Sequence, residues 1–179
     1  MFDMIKQIDP AWASAVLSIL ALIGAAGSWV YQLIKERQAA RTNQALAITA
    51  WISNYSACLD GTPNVTIHND SGSPIYEVVL TVVGMYGAGP GKHGEDHPGD
   101  YSRRSLYAIA PPGTSSASID LLGVGGMHVV CSLEIAFVDG EGRSWVRRGS
   151  GKLKRIRKRP FIFYKIPLPA EPKYSPEAA

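Results

Sequence analysis

Residues 11–34 constrain this chain more than any other stretch. They read AWASAVLSILALIGAAGSWVYQLI, without one charged side chain. A helix of that length, at about 1.5 Å per residue, covers the ~30 Å hydrocarbon core of a bilayer with room for tilt. Buried core helices are rarely free of charge for so long, and a cleaved signal peptide wants a basic leader and a shorter apolar run. Residues 1–10 carry Asp3 and Asp9 beside Lys6, so they read as a flank before a transmembrane helix at 11–34. Asp9 and Pro10 supply an N-cap and a first-turn proline. Trp12 near one end, with Trp29 and Tyr31 near the other, match the two aromatic belts of a bilayer. Residues 24–27 (Gly-Ala-Ala-Gly) form a small-residue patch of the kind that seats partner helices in some spans. Lys35, Arg37 and Arg41 follow the span and only Lys6 precedes it. That bias predicts a single-pass plasma-membrane protein, N-terminus outside and C-terminal part cytoplasmic.

Beyond the span the chain lacks Pro and Gly through residue 58. Leu46, Ile48, Trp51, Ile52, Tyr55 and Leu59 lie near a 3-4 spacing. The helix is therefore expected to continue as a stalk over 35–60 and end before Gly61-Thr62-Pro63. Its apolar face either packs on the next domain or self-associates.

From Val65 the period becomes two. Val65 and Ile67 alternate with Thr66 and His68, and Tyr76, Val78, Leu80 and Val82 make one apolar face opposite Glu77 and Thr81. Ala117, Ile119 and Leu121 alternate with Ser116, Ser118 and Asp120. Val129, Cys131, Leu133, Ile135 and Phe137 form another such row. Turn residues at 69–74, 111–113, 123–126 and 139–142 separate the runs. The pattern predicts an all-β antiparallel sandwich, Ig-like, over 61–159. Cys131 reads as a small buried hydrophobe. A Pro-rich tail over 160–179 follows: its apolar residues 160–169 either cap the sandwich edge or serve as an extended peptide ligand, and residues 170–179 read as frayed.

Two segments carry a resemblance. Residues 137–153 have the spacing F-x-D-x-x-G-x-x-W-x-R-x-x-x-G-x-L, and residues 65–80 have V-x-I-x-N-x-S-x-x-P-I-Y-x-V-x-L. Both segments resemble uncharacterised actinobacterial single-pass membrane proteins with a small C-terminal β domain. The resemblance implies architecture and brings no activity or site residues. In this chain Asp139 and Gly142 suit a turn, Trp145 a packing anchor, and Asn69 with Pro74 a strand connection.

Catalytic chemistry is not visible in one dimension. The Gly-rich stretch 84–91 before Lys92 and His93 has Tyr86 where a P-loop needs Gly, and no Ser or Thr after the Lys. His93, Glu95, Asp96, His97 and Asp100 are metal-ligand types, yet Gly94, Pro98 and Gly99 give them no rigid frame. His68 and His128 have no acidic or Cys neighbour in sequence. No G-x-S-x-G elbow occurs, and Cys58 and Cys131 lack a catalytic signature. Asn54, Asn64 and Asn69 each start an N-x-Ser/Thr pattern, which matters only in a luminal eukaryotic domain. We assign no catalytic, metal or cofactor site, and expect no enzyme.

Charge placement is the sharpest remaining signal. Arg143, Arg147, Arg148, Lys152, Lys154, Arg155, Arg157, Lys158 and Arg159 fall in 17 residues with no acid, while the whole chain is only +3. Such a block either solvates an outer strand or meets an anionic partner. On a tethered protein the nearest anion is the membrane leaflet, so Arg147, Arg148, Lys152, Lys154, Arg155, Arg157, Lys158 and Arg159 are the candidate residues for anionic lipid headgroups. Nucleic acid is the weaker candidate, since only Trp145 offers a stacking ring. The expected function is a membrane-anchored, non-catalytic interaction or scaffold module with an unidentified protein partner. An extracytoplasmic binding domain of a cell-envelope protein and an enzyme whose site forms on folding are the alternatives.

Overall fold

Ala, Leu and Ile dominate residues 10–46 and hold them in a single 37-residue helix, α1 (Pro10–Leu46). The computed structural model describes residues 10–54, 62–87, 91–96, 103–119, 129–167 and 169–178. The chain divides into two units, Met1–Thr42 and Asn43–Ala179. In the first, Ser14–Glu36 is long and apolar enough to cross a membrane, with mean hydropathy 1.7 and none of its most apolar window buried. Ser18 donates its hydroxyl to the Ser14 carbonyl at 2.8 Å, which satisfies it within the helix. A Cβ added at Gly24 or Gly27 would meet nothing within 4 Å among the described residues.

The helix does not continue as a stalk to residue 60. It stops at Leu46, and after Ala47 the chain enters strand β1 (Ile48–Ile52). Two forces stop it. The run Ile-Thr-Ala-Trp-Ile is β-branched and aromatic, with Ile48, Ala50 and Ile52 packing inward at period two. In addition, Arg147 takes the carbonyls that the helix end leaves unpaired. Its Nη2 donates to Ala45 (3.1 Å) and Leu46 (2.9 Å), and its Nε donates to Ile48 (2.7 Å). Tyr55, Cys58 and Leu59 of the expected stalk lie outside the described residues.

Two antiparallel sheets follow. One has the order β1, β2 (Asn64–Asn69), β5 (Gly113–Ser118) and β9 (Glu177–Ala178). The other runs β4 (Arg104–Ala110), β3 (Ile75–Tyr86), β6 (Val130–Val138), β7 (Ser144–Arg147) and β8 (Leu153–Ile156). Val65, Ile67 and Ala117 of the first sheet form one core with Val78, Leu80, Val82, Leu133, Ile135, Phe137 and Trp145 of the second. Most of the alternation expected for these strands is present. Tyr76 departs from it and lies 41% exposed, because a bulge between Tyr76 and Val79 shifts the β3–β6 register. Leu121, Asp120 and the 123–126 turn lie outside the described residues.

The motif residues have the expected architectural roles. Asp139 is buried and accepts from the backbone of Glu141 and Arg143 (3.0 and 2.8 Å) and from Trp145 Nε1 (2.9 Å). One carboxylate thus closes the β6–β7 turn and fixes the tryptophan below it, while Gly142 adopts φ 78°. Asn69 donates to the carbonyls of Ser73 (2.9 Å) and Pro111 (3.2 Å), joining two loops. Buried and engaged in this way, Asn69 is not a glycosylation acceptor.

Residues 160–178 are not a free tail. A short helix, α2 (Pro160–Phe163), brings Tyr164 and Ile166 onto the outer face of the second sheet, where they bury Val79, Ala136, Val146 and Ile156. The chain then hydrogen-bonds along β4, with Lys173 N–H donating to Leu106 (2.9 Å) and Ala108 N–H to Lys173 (2.8 Å). It ends by pairing β9 with β5. Apolar residues on both faces of β3 and β6 required this cover.

Replacing Arg147 by Ala leaves the carbonyls of Ala45 and Ile48 without their donor, at an expected cost of about 1–3 kcal/mol in denaturant unfolding of the domain. Lys at 147 cannot reproduce the guanidinium fork and should recover less than half of that loss.

Candidate functional site

The nine cations of residues 143–159 sort into two groups. Four are committed to fixed partners. Arg143 pairs with Glu141 and approaches Asp139 at 3.8 Å. Arg147 holds the carbonyls described above, and burial lowers its pKa from the usual guanidinium value. Arg148 is forked on Glu95, and its Nη1 also reaches Glu134 at 3.0 Å. Arg159 donates to Glu77 at 2.6 Å. Arg147 and Arg148, both expected at the surface, are part-buried and hydrogen-bonded within the domain. Each guanidinium meets acceptors that would otherwise be buried unpaired.

Lys152, Lys154, Arg155, Arg157 and Lys158 form the second group. All five are exposed, and among the described residues none has a side-chain ion pair or hydrogen bond. Strand geometry displays them. β8 is the edge of its sheet. Leu153 packs against the inner core and Ile156 in the outer cluster, so the strand is pinned through opposite faces. The cations between and after these anchors remain in solvent. Lys154, Arg155, Arg157 and Lys158, with Ile156 and Phe163, line a concavity of about 500 Å³ without an acidic residue. Phe163 lay in the stretch expected to be tail. An apolar Pro-rich run gave no sign that its ring would face the basic strand.

A buried polar network stands behind Phe163. Glu134 is fully buried in β6 and accepts from Arg148, from the Gly94 N–H (3.1 Å) and from the Tyr164 hydroxyl (2.6 Å). Arg104 of β4 donates to the Gly94 carbonyl at 2.6 Å and lies 5.0 Å from the centre of the Tyr164 ring. Arg148 lies 5.8 Å from the Phe163 ring centre, and the Phe163 and Tyr164 rings meet edge-on at 5.0 Å. Phe163 is thus held from behind by a neutralised guanidinium and a buried phenol.

The charges follow from this arrangement. Partial burial works to raise the Glu95 pKa, but the Arg148 hydrogen bonds and charge hold it below the usual carboxylate value. The Glu95 hydrogen bonds, then those of Glu134, hold Arg148 above the ordinary guanidinium range against burial. Burial, then the Glu134 charge, pushes the Tyr164 phenol well above its usual value. Cys131 lies on the apolar face as expected, and burial raises its thiol pKa.

The remaining sequence candidates are placed separately. Glu95 serves Arg148, and Asp96 accepts the His93 backbone N–H at 3.0 Å. His97 and Asp100 lie outside the described residues, as does His128. His68 Nδ1 is 3.0 Å from the Thr114 hydroxyl on the outer face of the first sheet. No family model and no curated protein matches the chain.

The network predicts pH dependence at both ends. Glu95 has a depressed folded pKa, so its contribution to stability is present above its unfolded value of about 4.3 and is lost as pH falls below it. Glu95→Gln should flatten that acid limb in denaturant melts. Tyr164 has a raised folded pKa, so its contribution is present below about pH 10 and is lost as pH rises further. Tyr164→Phe should flatten the alkaline limb and cost about 1–3 kcal/mol at neutral pH, because Glu134 loses a donor.

Proposed function

We propose that the protein is a membrane-anchored, non-catalytic interaction module whose domain rests its β8 edge against the anionic face of the bilayer. In this reading α1 crosses the plasma membrane once, with the N-terminus outside and the domain cytoplasmic. The domain is an Ig-like sandwich, as supported by two antiparallel sheets sharing one core around Trp145.

One observation carries the proposal: five cations without acidic partners stand together on one edge strand and its flanking turns, while three neighbouring arginines are paired with carboxylates and Arg147 is held on backbone carbonyls. Charged side chains also protect an exposed edge strand, and the salt and lipid dependence below separates the two roles. Each Lys or Arg close to an anionic leaflet contributes on the order of 1 kcal/mol, falling away over a screening length of ~8–10 Å. The tether removes the translational cost of approach, so two or three such contacts suffice.

Full-length protein reconstituted in liposomes tests the reading through the acylation rates of Lys152, Lys154 and Lys158, followed by peptide mass spectrometry. Phosphatidylglycerol liposomes should slow these rates by about fivefold relative to phosphatidylcholine, an effect of the size expected from one to two contacts. High salt should abolish the difference. Equal rates in both bilayers would leave the five cations as a solvated edge. Protease treatment of intact cells checks orientation, and digestion of the domain from outside would instead make it an extracytoplasmic binding domain.

A further inference from the structure

A surface held by diffuse attraction to a charged bilayer needs only outward-facing cations. The β8 edge has more than that. Lys154, Arg155, Arg157 and Lys158 line a concavity together with the apolar side chains of Ile156 and Phe163. Its volume, about 500 Å³, lies within the 300–1,000 Å³ range of small-molecule sites.

Three features define what such a site takes. First, four cations with no acid in the lining are excess for one singly charged phosphodiester, whereas a phosphate monoester approaches two charges and presents three terminal oxygens. Arginine forks match such oxygens two at a time, and lysine adds a point charge. Second, the Ile156 and Phe163 wall keeps water from one side, which strengthens charge interactions at its surface. It also suits a ligand with carbon beside its phosphate. Third, the wall is built in advance. Phe163 is wedged between Tyr164 and Arg148, and Glu95 with Glu134 already neutralises Arg148. Arg148 therefore supports the wall without competing for the anion.

We propose that this concavity is a discrete site for a phosphate monoester, with Lys154, Arg155, Arg157 and Lys158 as the anion ligands and Phe163 as the apolar wall. The assignment rests on reading β8 as the anion-facing edge and names the group which that edge selects. A monoester lipid headgroup and a free phosphate share the chemistry. A purely diffuse surface would rank lipids by charge alone.

The test uses the full chain in neutral-detergent micelles and follows backbone amide shifts of residues 154–158 and 163. Dihexanoyl phosphatidic acid, dihexanoyl phosphatidylglycerol and inorganic phosphate are titrated separately. Saturable shifts are expected with phosphatidic acid at about tenfold lower concentration than with phosphatidylglycerol, a difference of one good charge-assisted contact. Arg157→Gln and Lys158→Gln, both exposed, should each weaken the monoester by about tenfold. Lys92→Gln, away from the concavity, should leave it unchanged. If inorganic phosphate saturates the same amides as tightly as phosphatidic acid, the ligand source is soluble. If phosphatidic acid is much tighter, it is the lipid. Equal titration by phosphatidic acid and phosphatidylglycerol overturns the monoester site, as does insensitivity to both Gln variants. The liposome acylation difference would survive that failure, so the site and the broader membrane reading fail separately.

Discussion

A fully buried carboxylate, Glu134, imposes the central constraint on this domain. A charge in the middle of a sheet is costly unless every oxygen is answered, and here three elements answer it. Arg148 comes from the end of β7, the Gly94 N–H from the loop after β3, and Tyr164 from the segment after α2. Each donor is useful only if its own element has arrived. The carboxylate therefore selects one arrangement of the outer face of the second sheet, and Phe163 and the β8 edge inherit their positions from it.

The same constraint divides the basic block into parts with different physical meaning. Arg143, Arg148 and Arg159 are engaged by carboxylates, and Arg147 by backbone carbonyls. Three of them have a carboxylate partner before any ligand approaches. Lys152, Lys154, Arg155, Arg157 and Lys158 have none among the described residues. Of nine cations, five are left exposed and without a side-chain partner, and these are concentrated at one strand edge.

Much of this fold was legible in the sequence because period two and turn chemistry are local. Val65 and Ile67, the β6 rows, and the Asp139–Trp145 turn fell where alternation and turn preference put them. β1 was missed because Ile48 and Ile52 fit a helical spacing, with Leu46 and Trp51, as well as a strand alternation, with Ala50. The choice between them came from Arg147, a residue about a hundred positions away that takes the helix-end carbonyls. Capping was one of two readings open for residues 160–169, whereas the pairing of the residues after 170 was missed for a similar reason. The partners of both stretches, Glu134, β4 and β5, are distant in sequence, and neither proline content nor apolarity announces a docking surface. At the candidate site, the basic residues were visible as a run, but a run cannot distinguish Arg148, buried between two carboxylates, from Arg157, facing solvent.

The segment after β8 has little structure of its own: a four-residue helix and a two-residue strand, neither of which persists alone. Its order is borrowed from the sheets, so it belongs to the low-free-energy end of the domain's opening events. When it lifts, Val79, Ala136 and Val146 become wet, and the β4 edge loses the backbone that covered it. Bare apolar surface beside an unpaired strand edge is the combination that nucleates association between chains. The hydrogen bonds of Tyr164 and Lys173 therefore act as a guard on solubility as well as a contribution to the fold.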